Sequence, residues 1–186
     1  MPKSLICVFN FPFLHDIMKN INYQSNHERN MTDYNALKNT ITNWMIEEGI
    51  QYSEITDPDV EFRLSVTWGF VIDVVKPKGL HRLVSTASLA SESGNDAFKK
   101  LSDEEKNEFF TDLQIHLLKF PISFTIYPQT LDALESIVFH HAVFLEDLTK
   151  TALIESLDVI RRSMSLVRIF SIHRVGPDTP KPDYYV

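Results

Sequence analysis

The sequence predicts an α+β domain in which three helices pack on a twisted antiparallel sheet of about five or six strands. Three segments carry apolar residues at helical spacing, and the segments between them are β-prone or alternate apolar with polar residues. Short connections join most successive strands, which favours antiparallel pairing. The predicted order is helix, three or four strands, helix, two strands and a long helix.

The first helix is predicted over residues 32–48. Thr32 and Asp33 form a good N-cap pair, and Gly49 supplies a C-terminal stop. The apolar residues between them recur at helical spacing: Leu37, Ile41, Trp44 and Met45.

Four strand-like segments follow, at residues 51–56, 60–68, 70–75 and 80–89. The second is the clearest, because apolar and polar residues alternate along it as in a strand with one buried face. Its apolar residues are Val60, Phe62, Leu64, Val66 and Trp68. Between the third and fourth segments, Lys76-Pro77-Lys78-Gly79 predicts a type I turn.

The second half of the chain begins with a capping box, Ser102-Asp-Glu-Glu105, which opens a helix to about Lys119. Two strands are predicted at 122–127 and 137–145, and Thr149 begins a helix of roughly twenty-five residues. One stripe of that helix is apolar: Leu153, Leu157, Ile160, Met164 and Val167.

The first thirty residues differ in character from the rest. The apolar run at 5–13 resembles a signal peptide but is broken by Asn10 and Pro12, and a polar stretch without periodicity follows. We expect translation to start at Met31, with a genuine N-terminal arm as the alternative. A single domain is then predicted at 31–176, after a doubtful extension at 1–30 and before a proline-rich, disordered tail at 177–186.

The composition restricts the function. The 186-residue chain has a formal net charge of -7, and an acidic surface repels phosphate, which disfavours binding to nucleic acid or an anionic membrane. The only cysteine, Cys7, cannot form an intramolecular disulfide, and no apolar run approaches the ~20 residues of a membrane helix. These observations predict a cytoplasmic protein.

No common catalytic motif occurs in the sequence. The glycines are too far apart to form a phosphate-binding loop, and there is no HExxH, GxSxG or EF-hand pattern. We therefore predict no catalytic residue, no metal and no cofactor, and a protein that is not an enzyme.

The histidines are the remaining candidates for chemistry. His140 and His141 are adjacent, but successive side chains of a strand point to opposite faces, so one ion cannot easily bind both. Asp112 and His116 lie four residues apart and share a face of the predicted helix. Structural roles are favoured for all of them. The alternative hypothesis is an enzyme, or a small-molecule or metal-binding protein, with a site near His116, His140 and His141.

Three arginines of the long helix are the predicted partner-binding residues: Arg161, Arg162 and Arg168. Positive charge near a helix C-terminus is favourable by itself. Arg161 and Arg168 nevertheless share a face and could contact an acidic partner or a phosphate, and nucleic-acid contact is the weaker alternative. The helix is also longer than a small sheet usually covers, which predicts that part of it forms a homodimer interface.

The element order resembles the type III secretion chaperone-like fold. Three segments are similar to an uncharacterised archaeal family in that fold group: NWMIEEG at 43–49, VVKPKG at 74–79 and FLEDLT at 144–149. The resemblance covers residues 32–174. It implies a small acidic dimer that binds extended segments of partner proteins along its sheet and helices, and it assigns no role to any residue. The predicted function is therefore a non-catalytic, chaperone- or adaptor-like protein-binding module with an unknown partner.

Overall fold

A computed structural model describes residues 33–90, 98–127 and 134–175. The predictions made for residues 1–30 and 177–186 lie outside these ranges. The elements in chain order are α1 (Tyr34–Glu47), β1 (Gln51–Ile55), β2 (Val60–Thr67), β3 (Val71–Pro77), β4 (Arg82–Ala90), α2 (Asp103–Leu117), β5 (Ser123–Tyr127), β6 (Ser136–Phe144), a 3-10 turn (Leu145–Asp147) and α3 (Lys150–Val175). The predicted α+β class and element order are confirmed.

The six strands form one antiparallel sheet in the order β1-β2-β3-β4-β6-β5. The first four strands are a meander of neighbours. β6 then pairs with β4 along Arg82–Ala90, and β5 lies at the edge beyond it. The last two strands therefore lie in the sheet in the reverse of their chain order, since β6 is next to β4 and β5 is at the edge.

The core lies between one face of the sheet and the helices. Phe62, Leu64 and Val66 of β2 are buried, and the register places Leu64 and Val66 beside the buried Val74 and Ile72 of β3. The five residues of the predicted stripe on α3 are each at most 2% exposed and belong to the same core. The alternation in β2 and the helical spacing in α3 thus identified the two surfaces that meet.

The turn between β3 and β4 differs from the prediction. It runs from Pro77 to Leu80, where the Leu80 N–H donates to the Pro77 carbonyl (3.5 Å), so it begins one residue later than predicted. Gly79, its third residue, has a φ of +70°, which a type I turn does not allow at that position. The reason is the pairing of β3 with β2, which extends as far as Pro77 opposite Val60.

The capping box at the start of α2 is present as predicted. The Glu105 N–H donates to the Ser102 hydroxyl (3.3 Å), and the Ser102 N–H donates to the Glu105 carboxylate (2.7 Å). The backbone and hydroxyl hydrogen bonds from Ser102 hold the pKa of the Glu105 carboxyl below its ordinary value.

We expect Ser102→Ala to lower the free energy of unfolding by about 1 kcal/mol, because one N–H of the first turn loses its acceptor. Urea unfolding of the two proteins measures the difference. Thr111→Ala is the matched control, since this exposed hydroxyl donates to the Asn107 carbonyl within the same helix. Equal losses for both substitutions would contradict a specific role for the cap.

Within the part of the chain that the structure describes, no helix combines the length and the apolar character needed to cross a membrane.

Candidate functional site

An open groove of about 590 Å³ lies along the C-terminal half of α3. Its apolar lining residues are Leu166, Ile169 and Phe170, its charged ones are Arg161, Arg162 and Arg174, and Ser165, His173 and His116 of α2 complete it. We call this surface the α3 groove. It combines an apolar lining with a group of cations, which is the composition of many binding surfaces.

The helical repeat explains why these side chains share one side of α3. Arg162, Leu166, Ile169 and His173 are spaced by four, three and four residues, so they form a second stripe beside the buried one. Ile169 is 58% exposed, whereas the buried stripe is almost inaccessible. α3 therefore presents apolar side chains to the core and, separately, to solvent.

Helix α2 fixes one side of the groove. The ring centroid of Phe170 lies 5.2 Å from that of Phe109 and 5.6 Å from that of His116. The Arg174 guanidinium forms an ion pair with the Asp112 carboxylate. The groove is thus held by ring packing and an ion pair between two helices, so its shape exists before any ligand binds.

Asp112 and His116 do lie close together, but not as a side-chain pair. His116 Nδ1 donates to the backbone carbonyl of Asp112 (2.7 Å), while the Asp112 carboxylate contacts Arg174. Sequence reasoning missed this use of Asp112, because its partner lies 62 residues away along the chain.

Two of the three predicted arginines lie in the α3 groove. Arg161 and Arg162 share Asp158: their guanidinium nitrogens lie 2.6 Å from Oδ1 and 2.5 Å from Oδ2, respectively. Arg161 also stacks on Trp68, with its guanidinium carbon 5.1 Å from the ring centroid. Arg168 does not line the groove, and Arg174, which was not predicted, does.

His140 and His141 point to opposite faces of the sheet. His140 Nδ1 lies 3.0 Å from the Thr86 hydroxyl, and His141 Nδ1 lies 3.0 Å from the hydroxyl of Ser156 on α3. Burial lowers the pKa of both imidazoles. Among the described residues, no three His, Cys, Asp or Glu side chains are grouped so that they could bind a metal ion.

A row of polar residues crosses the face of the sheet opposite the core, and the sequence analysis did not find it. Each strand contributes one member, and the register places them side by side: Ser53, Ser65, Asp73, Thr86, His140 and Ser123. One guanidinium nitrogen of Arg63 lies 2.5 Å from an Asp73 carboxylate oxygen, and the other terminal nitrogen lies 3.5 Å from one of Asp57. The hydrogen bond to Thr86 and this ion pair give the row a structural role.

The two histidines predict how stability depends on pH. Their pKa values are lower in the folded protein than the ordinary value of about 6.5. As the pH falls below that value, the unfolded chain binds protons before the folded protein does, so the free energy of unfolding decreases. Urea unfolding between about pH 7.5 and 5.5 measures this slope.

His140→Gln and His141→Gln should each flatten that slope. The lowered pKa of Glu105 does not interfere, because a carboxyl group titrates at lower pH. A slope identical in the wild-type protein and both variants would show that other groups cause the pH dependence.

A protein-family model described as "Uncharacterized conserved protein (DUF2299)" matches residues 37–170. The crystal structure of an uncharacterized protein from Methanothermobacter thermautotrophicus matches with a TM-score of 0.70 and 24% identity, over 75% of this chain and 99% of that one. YbjN from E. coli gives a TM-score of 0.41 and 11% identity, over 73% and 89%. No curated protein sequence matches significantly.

Proposed function

The chain belongs to the DUF2299 family of uncharacterized conserved proteins, as its resemblance to an uncharacterised archaeal family indicated, and we propose that it is a non-catalytic protein-binding module of the adaptor or chaperone kind. The α3 groove is the proposed partner site. The observation that carries this proposal is the exposed Ile169 of α3, beside the half-buried Leu166 and Phe170 and with arginines around it.

The apolar residues of the groove are the first support. Single exposed apolar side chains are common on protein surfaces. Here Leu166, Ile169 and Phe170 are neighbours on one helix face, and they line a single groove. Covering Ile169 with a partner would remove apolar area from water, at about 25 cal/mol per Å².

The second support is the surrounding charge and rigidity. Arginine is enriched in protein interfaces, where its planar group pairs with carboxylates. Phe170 is fixed by Phe109 and His116, and Arg161 is fixed by Trp68 and Asp158. A partner would therefore meet side chains that need little further ordering, which reduces the entropic cost of binding.

Affinity purification from the protein's own cells tests the proposal. The tagged full chain, Ile169→Asp and Ile46→Asp are compared by quantitative mass spectrometry. Ile46 is the matched control, because it is 62% exposed on α1 and lies outside the groove. We expect the wild-type and Ile46→Asp proteins to recover the same amount of one partner. Ile169→Asp should recover about a tenth of that amount or less. Equal recovery with Ile169→Asp, or no enrichment by the wild-type chain, would contradict the proposal.

His116 favours a second candidate function, a small-molecule site in the same groove. The groove volume lies within the range of about 300–1,000 Å³ that is usual for ligand sites. A thermal-shift screen with metabolites and metal ions tests it, since a ligand that binds the folded state raises the unfolding temperature. Stabilisation by one compound, abolished by His116→Ala, would favour this candidate over the protein-binding module.

A further inference from the structure

We infer that the partner segment bound by the α3 groove is acidic and amphipathic, with apolar side chains against Leu166, Ile169 and Phe170 and carboxylates against Arg162 and Arg174. This inference rests on the proposed function and specifies the chemistry of the partner. It follows from the charge of the groove, the geometry of its ion pairs and the exposure of its arginines.

The charge of this part of α3 is opposite to that of the whole chain. Residues 159–175 include four arginines and no acidic residue, although the formal net charge of the chain is -7. A local concentration of one sign on a protein of the other sign directs binding toward ligands that carry the opposite charge. The expected ligand is therefore negatively charged.

The ion pairs of the groove leave positive charge in excess. Within the described part of the chain, the guanidinium groups of Arg161, Arg162 and Arg174 share two carboxylates, those of Asp158 and Asp112. Each guanidinium has five N–H donors. Several donors therefore remain for a ligand, and charge-assisted hydrogen bonds to carboxylates would use them.

Exposure shows which arginines can reach a partner. The Arg162 side chain is 66% exposed and that of Arg174 is 49% exposed, whereas Asp158 is only 20% exposed. The Asp158 carboxylate thus lies beneath the guanidinium groups of Arg161 and Arg162 and holds them from the protein side. A partner approaching the groove meets cations first, beside the exposed Ile169.

The same charges argue against two other occupants. A second copy bound symmetrically through this groove would bring together two surfaces with the same excess of positive charge, and like charges repel. Nucleic acid would use the arginines but would leave the apolar lining without a matching surface. A peptide with both acidic and apolar side chains matches both parts of the groove.

Two synthetic peptides test the inference on the full chain. Both are fluorescein-labelled. The first has leucines at helical spacing and glutamates at the other positions, and the second has lysine in place of every glutamate. Fluorescence anisotropy gives both dissociation constants. We expect the acidic peptide to bind at least about tenfold more tightly than the basic one. Its affinity should fall several-fold between about 50 and 400 mM KCl.

Charge reversal separates the chemistry from folding. Arg162→Glu should lower the affinity for the acidic peptide about tenfold and raise the affinity for the basic one. Loss of structure cannot produce this combination. Ile169→Asp should weaken the acidic peptide, and Lys100→Glu, at an exposed position outside the groove, should change neither affinity.

Other outcomes would overturn the inference in distinguishable ways. If both peptides bind equally, the partner segment is not selected for acidic residues. The same follows if a purified partner binds the groove while the acidic peptide does not. Neither result contradicts the proposed function. Tighter binding of a single-stranded RNA probe, or a dimer in light scattering that Ile169→Asp dissociates, assigns the groove to another occupant. The proposed function itself fails if Ile169→Asp leaves partner recovery unchanged or if no partner is enriched.

Discussion

Lys76→Ala is expected to lower the free energy of unfolding by about 3 to 4 kcal/mol, which combines the cost of a cavity with that of unsatisfied polar groups. Lys76 lies on the core-facing side of β3 and is 0% exposed. Its Nζ donates to the carbonyl oxygens of Pro77 (2.9 Å) and Leu80 (2.6 Å). It also lies 4.5 Å from the ring centroid of Tyr34 on α1.

The contacts of Lys76 explain the size of the expected effect. The ammonium group satisfies two carbonyls of the turn after β3 and joins that turn to α1. Burial lowers the pKa of this lysine, and the charge of Glu61 partly opposes that shift. Removing the side chain takes the ammonium donor from the Leu80 carbonyl and leaves the Pro77 carbonyl with the long hydrogen bond from the Leu80 N–H (3.5 Å). Loss of hydrogen bonds to polar groups away from water is costly.

Two further variants separate the causes. The methionine of Lys76→Met fills most of the lysine's volume but cannot donate a hydrogen bond. We therefore expect the free energy of unfolding to fall by about 1 to 3 kcal/mol. Lys119→Met, at an exposed lysine, should stay within about 0.5 kcal/mol of the wild type. Urea unfolding measures all three. If Lys76→Met were as stable as the wild-type protein, the two hydrogen bonds would contribute nothing to stability.

Leu157→Ala is expected to lower the free energy of unfolding by about 3 kcal/mol. The reason is that Leu157 is 0% exposed in the core formed by α3 and the sheet. Truncation leaves a cavity in the core where α3 packs against β4 and β6. The matched control is Leu118→Ala, since Leu118 is 75% exposed after the end of α2. A similar loss for both variants in urea unfolding would contradict the assignment of Leu157 to the core.

Local signals were sufficient to predict most elements. The alternation along β2, the capping box of α2 and the apolar stripe of α3 are properties of short segments, and each appears where it was expected. The position of β6 between β4 and β5 could not be predicted in this way. It depends on pairing between segments that lie far apart in the sequence, about which periodicity says nothing.

The candidate site was predicted only in part for the same reason. Arg161 and Arg162 were selected because they are basic residues of one helix, and Arg168 was selected with them. Only tertiary packing shows that Arg174, through Asp112, belongs to the groove and that Arg168 does not. Lys76 was similarly assigned to a turn, since a buried lysine has no signature in a sequence.

The α3 groove was the least predictable feature. Leu166, Ile169 and Phe170 belong to an apolar helix whose buried stripe already accounted for its hydrophobicity. The sequence pattern predicted only the buried stripe, and it assigned no role to these three residues. The structure shows that Leu166 and Phe170 pack partly against the core, whereas Ile169 beside them is exposed.

Side-chain footprinting of the full chain with the partner recovered from cells is the most direct test of binding through the α3 groove. Hydroxyl radicals oxidise exposed side chains, and mass spectrometry measures the extent at each residue. We expect the partner to protect Ile169 and Phe170, and to leave the equally exposed Ile46 of α1 unchanged. Unchanged oxidation of Ile169 with protection elsewhere would contradict binding through this groove.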